Sequence, residues 1–245
     1  MQSLGRSDVM AILQNFLNLL IFLLVMAVTA NAKERVVLLH GLARTEKSFS
    51  KMQAFLEQGG YVVSNIGYPS RKLPVEELAR MVRERIEAEV LVGETVNFVT
   101  HSMGGILLRY IQKTNPLPNV GRVVMLAPPN QGSEVVDKLG GFFLFRWING
   151  PAGNQLGTDP EGFVKQLGKV DFEAGVIAGD RSINLILSLL IPGKDDGKVS
   201  VESAKVEGMQ DYRVVHSAHP FIMKNREVMG LALEFLRYGK FGAGR

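Results

Sequence analysis

Ser102 is a potential nucleophile because of its place in the sequence. It follows the apolar run from Val96 to His101 and precedes a second apolar run that begins at Gly104. The first run is typical of a buried strand and the second of a helix. A tight strand-to-helix turn of the form Gly-x-Ser-x-Gly exposes a serine hydroxyl at the end of the strand. Gly104 fits the last position of this pattern, and Thr100 replaces the first glycine.

A serine near neutral pH needs a base that accepts its proton and a third group that orients the base. The chain has four histidines. His40 ends the first predicted strand, and His101, next to the serine, is expected to point away from it. His216 and His219 both follow the last predicted strand, and the sequence favours His219 because it leads into Pro220-Phe221 and the closing helix.

The third group is expected to be a carboxylate between the serine and the histidine in chain order. The segment "PGKDDGKVS" offers Asp195 and Asp196, and Asp180 follows another predicted strand. An Asp-Gly turn before an apolar stretch holds a carboxylate at a fixed point, which favours Asp196.

Negative charge on a reacting carbonyl oxygen must be met by preorganised N–H donors. The amide after the serine, that of Met103, is one candidate. The other lies in the loop after the first strand, "LLHGLART", where His40-Gly41 allows a close approach of the backbone. The following amide, that of Leu42, is the second candidate donor.

Strand-like and helix-like segments alternate along the chain from Arg35 onwards. Continuous apolar strands separated by amphipathic helices predict a mostly parallel sheet that is buried on both faces, in one doubly wound α/β domain. The predicted strands are 35–40, 61–68, 96–101, 123–127, 175–178 and 212–215, and the predicted helices are 48–57, 75–92, 104–113 and 226–237.

One segment, from Asn130 to Lys169, departs from this alternation and is rich in Gly, Pro and Asn. An insertion of this length is typical of a lid or a binding loop. It contains an apolar cluster that either packs inward as a secondary core, or lines an acyl pocket or forms a mobile lid: Phe142, Phe143, Leu144, Phe145 and Trp147.

Five motifs together resemble the landmarks of bacterial lipases and esterases of the α/β-hydrolase fold: "LLHGLART", "THSMGG", "APPNQGS", "DDGKVS" and "SAHPFIM". The resemblance covers the chain from Arg35 to its C-terminus. It implies an α/β-hydrolase domain over residues 33–245, with residues of about 130–169 as a small lid or cap. It also implies a triad of Ser102, Asp196 and His219, with oxyanion donors at Leu42 and Met103.

The leading hypothesis is therefore a serine hydrolase that cleaves carboxylic esters, in lipids or of short-chain alcohols, through an acyl-enzyme. An acyltransferase that uses the same triad is an alternative, and a non-catalytic lipid-binding pseudo-hydrolase is a third. No cofactor or metal is expected, because the histidines and acids lack the spacing of a metal site.

The N-terminal residues 1–32 predict either a signal peptide or a membrane anchor. Arg6 precedes the apolar segment from Phe16 to Val28, and Ala30-Asn31-Ala32 fits a cleavage site. Cleavage near Ala32 would leave an exported protein, periplasmic or secreted; without cleavage, the same segment would anchor it in the membrane.

The charge pattern limits the partners. The net charge is +4, but the basic residues are scattered, which argues against nucleic-acid binding and allows weak association with an anionic membrane surface. The chain has no cysteine, so disulfides and thiolate metal sites are excluded. An ester or lipid is the expected substrate, and the sequence gives no indication of the oligomeric state.

Overall fold

The computed structural model describes residues 10, 14–20, 34–91 and 93–242. The chain divides into two units, Met1–Lys33 and Glu34–Arg245. In the first unit, residues 14–20 are helical. The predicted cleavage position after Ala32 lies outside the described residues. Of the helices that are described, none is long and apolar enough to cross a membrane.

The second unit is built on a sheet of six strands in the order β2-β1-β3-β4-β5-β6. Every neighbouring pair is parallel. The predicted α/β fold with a parallel, doubly wound sheet is therefore confirmed. The strands are β1 (Arg35–Leu39), β2 (Val62–Ile66), β3 (Val96–His101), β4 (Val120–Leu126), β5 (Ala174–Gly179) and β6 (Asp211–Val215).

Helices cover both faces of this sheet. They are α1 (Ser50–Gln58), α2 (Val75–Glu89), α3 (Met103–Thr114), α4 (Glu134–Leu139), α5 (Phe143–Asn154), α6 (Phe163–Gln166), α7 (Leu185–Ser188) and α8 (Arg226–Tyr238). Two short 3₁₀ helices, Glu46–Phe49 and Ile222–Lys224, precede α1 and α8.

Alternate residues of each strand belong to different cores because side chains in a strand point to opposite faces. Val37 and Leu39 of β1 pack with α2 and α3, whereas Val36 and Leu38 pack with α1 and α8. The interior strand β3 is buried at every position. This double burial explains why its sequence is a continuous run rather than an alternating one.

The predicted elements agree with the structure in order and type, and all except β3 differ from it at one or both ends. Helix α2 was expected to continue to Val92 but ends at Glu89, because Val90 adopts extended backbone angles with φ −98° and ψ 132°. The sequence did not predict α4 to α7. Helices α4 and α5 lie in or beside Gly-rich segments, and α5 is interrupted at Gly150 by non-helical backbone angles, whereas α6 and α7 span a single turn each.

The insertion from Asn130 to Lys169 is fastened at both ends by one buried side chain, that of Arg109 in α3. Nη1 of Arg109 donates to the backbone oxygen of Asn130 at 3.0 Å and to its Oδ1 at 3.1 Å. Nη2 donates to the backbone oxygen of Gly168 at 2.6 Å. Burial lowers the pKa of Arg109 to about 10, so the guanidinium is still charged at neutral pH.

The aromatic cluster of the insertion corrects one sequence expectation. Phe143 is 81% exposed and Trp147 is 67% exposed, and Phe142 and Leu144 are exposed as well. The interpretation as a secondary core is therefore wrong for these four residues, because no other part of the described chain covers them. Whether the insertion moves as a lid stays a prediction.

Replacing Arg109 should destabilise the protein strongly. Arg109→Met removes hydrogen bonds from a charged donor and leaves the buried acceptors of Asn130 without this donor, so the free energy of unfolding should fall by about 3 kcal/mol. Urea denaturation measures this value. Arg80→Met is the control, since the exposed Arg80–Glu84 pair of α2 should be worth less than about 1 kcal/mol. Equal losses in both variants would contradict the fastening role of Arg109.

Candidate active site

Ser102 lies in a strained turn between β3 and α3. Its backbone has φ 52° and ψ −123°, in a region that side-chain-bearing residues rarely adopt. The amide of Ser102 donates to the backbone oxygen of Leu126 at 2.8 Å, which ties the turn to β4. Such a turn holds the hydroxyl at the carboxyl end of the sheet.

Two glycines after the serine make room for this turn. A Cβ on Gly104 would lie 2.2 Å from the backbone oxygen of Leu39, so α3 approaches β1 as closely as a glycine allows. A Cβ on Gly105 would lie 3.2 Å from Oγ1 of Thr100. Because Gly105 has no Cβ, there is room for the side chain of Thr100 at the position where the usual pattern has glycine.

The structure brings Ser102, His219 and Asp196 together in one chain of contacts. Nε2 of His219 lies 3.1 Å from Oγ of Ser102, and Nδ1 of His219 lies 2.7 Å from Oδ2 of Asp196. A carboxylate only accepts hydrogen bonds, so Nδ1 carries the proton and the lone pair of Nε2 faces the serine. All three side chains are buried.

The Asp196 carboxylate is itself held by the backbone. Its Oδ1 accepts from the amides of Lys198 at 3.0 Å and Val199 at 2.9 Å. The backbone oxygen of Asp196 also accepts from the amide of His219 at 2.9 Å. The acid and the histidine are therefore joined through both side chain and backbone, although they are far apart in sequence.

The competing sequence candidates lie elsewhere. His216 pairs with Asp180, with Nδ1 at 3.0 Å from Oδ1, and the His216 side chain is 75% exposed. Oδ1 of Asp195 accepts from Oγ of Ser188 and from the amide of Gly197, both at 2.7 Å. In the described structure none of the three candidates His216, Asp180 and Asp195 forms a hydrogen bond with Ser102.

His40 fixes the loop that follows β1. The amide of Tyr68 donates to Nε2 of His40 at 3.3 Å, so Nδ1 is protonated and donates to the backbone oxygen of Gly41 at 2.9 Å. The Tyr68 hydroxyl donates to the His40 backbone oxygen, and the two rings stack at 4.0 Å. Burial lowers the pKa of His40, which favours this neutral ring.

Both predicted oxyanion donors lie beside Ser102. A Cβ on Gly41 would lie 3.1 Å from Cβ of Ser102, so the loop passes directly against the serine, and Leu42 lines the same cavity. Met103 begins α3, so its amide has no partner within the helix. Within the described residues, the amide of Leu42 also donates to no protein acceptor.

His101, to which the sequence assigned no role, supports His219. Its Nε2 lies 3.1 Å from the backbone oxygen of His219, and the two rings are 4.8 Å apart. Because a carbonyl oxygen only accepts, Nε2 carries the proton and Nδ1 is left without a partner in the described structure. Burial, followed by the nearby His219, lowers the pKa of His101 well below its usual value, which keeps the ring neutral.

A cavity of about 300 Å³ opens onto Ser102 and His219. Its apolar wall is formed by Leu42, Ile183 and Leu187, and none of the aromatic residues of the insertion lines it. The expectation that these aromatics line an acyl pocket is therefore wrong for the described structure. The cavity also contains Arg44 and Lys198, which the sequence did not single out. Lys198 lies two residues after Asp196, and Arg44 two after Leu42.

In the part of the chain that the structure describes, no cluster of three His, Asp or Glu residues could hold a metal ion.

Solved proteins with this fold include lipases and esterases. The mature form of lipase BlEst2 from Bacillus licheniformis has a TM-score of 0.64 at 21% identity, over 84% of this chain and 92% of that chain. Phospholipase PlaB from Legionella pneumophila has a TM-score of 0.67 at 18% identity, over 85% of this chain and 60% of that chain. The metagenomic carboxyl esterase MGS0156 has a TM-score of 0.63 at 20% identity, over 78% of this chain and 66% of that chain. These likenesses define the fold as that of an α/β hydrolase.

The family follows from the sequence itself. Residues 36–194 match the model of the alpha/beta hydrolase family, which is more than half of the chain. The protein therefore belongs to the alpha/beta hydrolase family, and the predicted resemblance to bacterial lipases and esterases is confirmed. No curated protein sequence matches the chain significantly.

The close approach of α3 to β1 can be tested at Gly104. In Gly104→Ala the new methyl group would overlap the backbone oxygen of Leu39, which cannot move aside, so the free energy of unfolding should fall by about 3 kcal/mol. In the control, Gly230→Ala in α8, the new Cβ meets nothing within 4 Å. Its better helix propensity should stabilise the protein by about 0.5–1 kcal/mol. Thermal and urea unfolding measure both values, and a tolerated Gly104→Ala would contradict the packing argument.

Proposed function

We propose that the protein is a serine hydrolase that cleaves carboxylic esters through an acyl-enzyme on Ser102. The observation that carries this proposal is the continuous contact from Oγ of Ser102 through the imidazole of His219 to the carboxylate of Asp196. The family and fold support the same class of chemistry.

In the first step, Oγ of Ser102 attacks the carbonyl carbon of the ester and its proton moves to Nε2 of His219. The distance of 3.1 Å between these atoms is within the range for direct proton transfer. Asp196 stabilises the imidazolium that forms and keeps Nδ1 oriented. The tetrahedral intermediate collapses when His219 returns the proton to the leaving alcohol.

The negative charge of that intermediate falls on the former carbonyl oxygen. The amides of Met103 and Leu42 are the donors that we assign to it, because both lie beside Ser102 and both are unpaired in the described structure. Preorganised donors of this kind lower the activation barrier because they need no reorientation during the reaction. Water then attacks the acyl-enzyme with His219 again as the base, which releases the acid and restores Ser102.

The printed names of the structural relatives, which include lipases, a phospholipase and a carboxyl esterase, fit an ester or lipid substrate for this protein. The non-catalytic alternative has less support, because a pseudo-hydrolase is expected to have lost part of the triad or of the oxyanion loop. In the described structure Ser102, His219 and Asp196 are in contact, which supports the catalytic proposal.

A fluorophosphonate should label the protein once per chain, on the peptide that carries Ser102. Ser102→Ala should abolish both labelling and ester hydrolysis without loss of thermal stability, because triad residues act as a unit. Asp196→Asn should lower kcat by about four orders of magnitude, since an amide in this place permits the wrong imidazole tautomer. Mass spectrometry and ester kinetics measure these effects, and product analysis separates hydrolysis from acyl transfer.

The matched controls are the second Asp–His pair, Asp180 and His216. Asp180→Asn and His216→Ala should keep kcat near the wild-type value, whereas His219→Ala should lose it. Labelling at a residue other than Ser102 would contradict the proposed roles. So would a large loss of kcat in Asp180→Asn together with a kcat near the wild-type value in Asp196→Asn.

The apolar wall of the cavity predicts the acyl preference. Leu187 lines the cavity, and each buried methylene of an acyl chain is worth about 0.8 kcal/mol. Wild-type kcat/KM should therefore rise with acyl length for the first few carbons. In Leu187→Ala the total increase of kcat/KM with acyl length should be about tenfold smaller, which corresponds to roughly 1.4 kcal/mol of lost contact.

Leu189→Ala is the control, because Leu189 is 84% exposed and does not line the cavity. Its acyl-length profile should match that of the wild type. Identical profiles in Leu187→Ala and the wild type would show that the acyl chain lies elsewhere.

A further inference from the structure

Two cationic side chains, Arg44 and Lys198, line the same cavity as Ser102. Arg44 comes from the loop after β1, and Lys198 comes from the turn that carries Asp196. Neither forms an ion pair with an acid within the described residues. The acidic residue of the cavity wall, Asp196, already binds His219 and two backbone amides.

The two cations are close enough to affect each other. Desolvation, followed by repulsion from Arg44, lowers the pKa of Lys198, although both residues are exposed to solvent and this repulsion is therefore partly screened. Both charges also contribute to the lowered pKa of His101, after the larger effects of burial and His219. Two like charges that line one cavity repel each other, and a bound anion would reduce this repulsion.

The chemistry of the pair suits an oxyanion. A guanidinium offers a planar fork of donors to a phosphate or carboxylate, and an ammonium adds a compact point charge with three donors. The cavity wall also has apolar residues, among them Ile183 and Leu187. The cavity therefore offers contacts for both hydrocarbon and an anion, and Ser102 lines the same cavity.

We propose that the preferred substrate is an amphiphilic ester that carries a phosphate or carboxylate group close to its ester bond, and that Arg44 and Lys198 bind this anionic group. This inference rests on the proposed function, since it assigns the substrate class of the same site. Arg44 and Lys198 determine specificity, whereas Ser102 and His219 perform the reaction.

Two pairs of substrates that differ in one anionic group test the inference. The first pair is lauroyl glycerol and lauroyl glycerol phosphate, both below their critical micelle concentrations. The second pair is the p-nitrophenyl ester of butyric acid and the p-nitrophenyl monoester of glutaric acid, which carries a free carboxylate. Wild-type kcat/KM should be about tenfold or more higher for the anionic member of at least one pair. Preference in the first pair alone indicates phosphate as the recognised group, and preference in the second pair alone indicates carboxylate.

Arg44→Gln and Lys198→Gln should each reduce this anionic-to-neutral ratio by about tenfold, the loss expected for one charged hydrogen bond. The control is Lys224→Gln, which removes a cation from a neighbouring cavity that does not contain Ser102. It should keep the wild-type ratio, because it changes the net charge without changing the anion contacts. A wild-type ratio near one for both pairs, or an equal fall in all three variants, would overturn the inference.

A binding measurement separates this inference from the proposed function. Ser102→Ala should bind lauroyl glycerol phosphate about tenfold or more tightly than lauroyl glycerol by calorimetry, and the added substitution Arg44→Gln should abolish the difference. If the wild type hydrolyses neither ester but Ser102→Ala shows this preference, the proposed function fails and the anion site stands. Equal affinities for the two ligands would overturn the anion site even if both esters are hydrolysed.

Discussion

Helix α3 lies so close to β1 that no side chain fits at Gly104, and the position of Ser102 depends on this contact. The backbone of Ser102 has a positive φ of 52°, which costs free energy unless the surrounding structure holds it. β3 is paired on both sides, with β1 and β4, so one end of the turn cannot shift. The start of α3 is fixed against the carbonyl of Leu39, so the other end cannot shift either. The strain at Ser102 is thus maintained by a strand that is buried at every position.

The other parts of the site reach this turn from three separate loops, and each loop is held through its backbone. Asp196 and His219 are joined by a main-chain hydrogen bond in addition to their side-chain contact. His101 donates to the His219 carbonyl, so the residue before the serine also positions the base. His40 performs a similar task for the loop that carries Leu42. Three of the four histidines therefore belong to one arrangement, and two of them act through the backbone.

The sequence predicts best those features that depend on continuous burial. β3 was predicted to the residue, from Val96 to His101, because a strand buried on both faces is a continuous apolar run. The short helix α7 could not be predicted, because one turn has no periodicity; it depends on the cap at Asn184 and on the Ser188–Asp195 contact. The sequence could not decide whether the aromatic cluster would be buried, since local hydrophobicity does not indicate which surfaces the rest of the fold will cover.

For the same reason, the sequence did not predict which residues line the cavity. The sequence indicated Ser102 and His219 from their places after predicted strands, and Asp196 from an Asp-Gly turn between them in chain order. Arg44 and Lys198 stand close to these motifs in sequence, but their meeting depends on the conformations of two loops that have no periodic pattern. Positions on the sheet edge can therefore be inferred from the chain, whereas contacts between loops need the three-dimensional structure.

Asp195 links the wall of the cavity to the segment that carries Asp196, the proposed triad acid. Its carboxylate holds Ser188, at the end of α7, and the amide of Gly197, directly after Asp196. The loop that lines the cavity and the loop that carries the acid are thus a single unit for protein engineering. A loop graft from another α/β hydrolase intended to change substrate preference would have to replace residues 183–197 as one block. Exchanging α7 alone would leave Asp195 without its partner and loosen the segment that orients the acid.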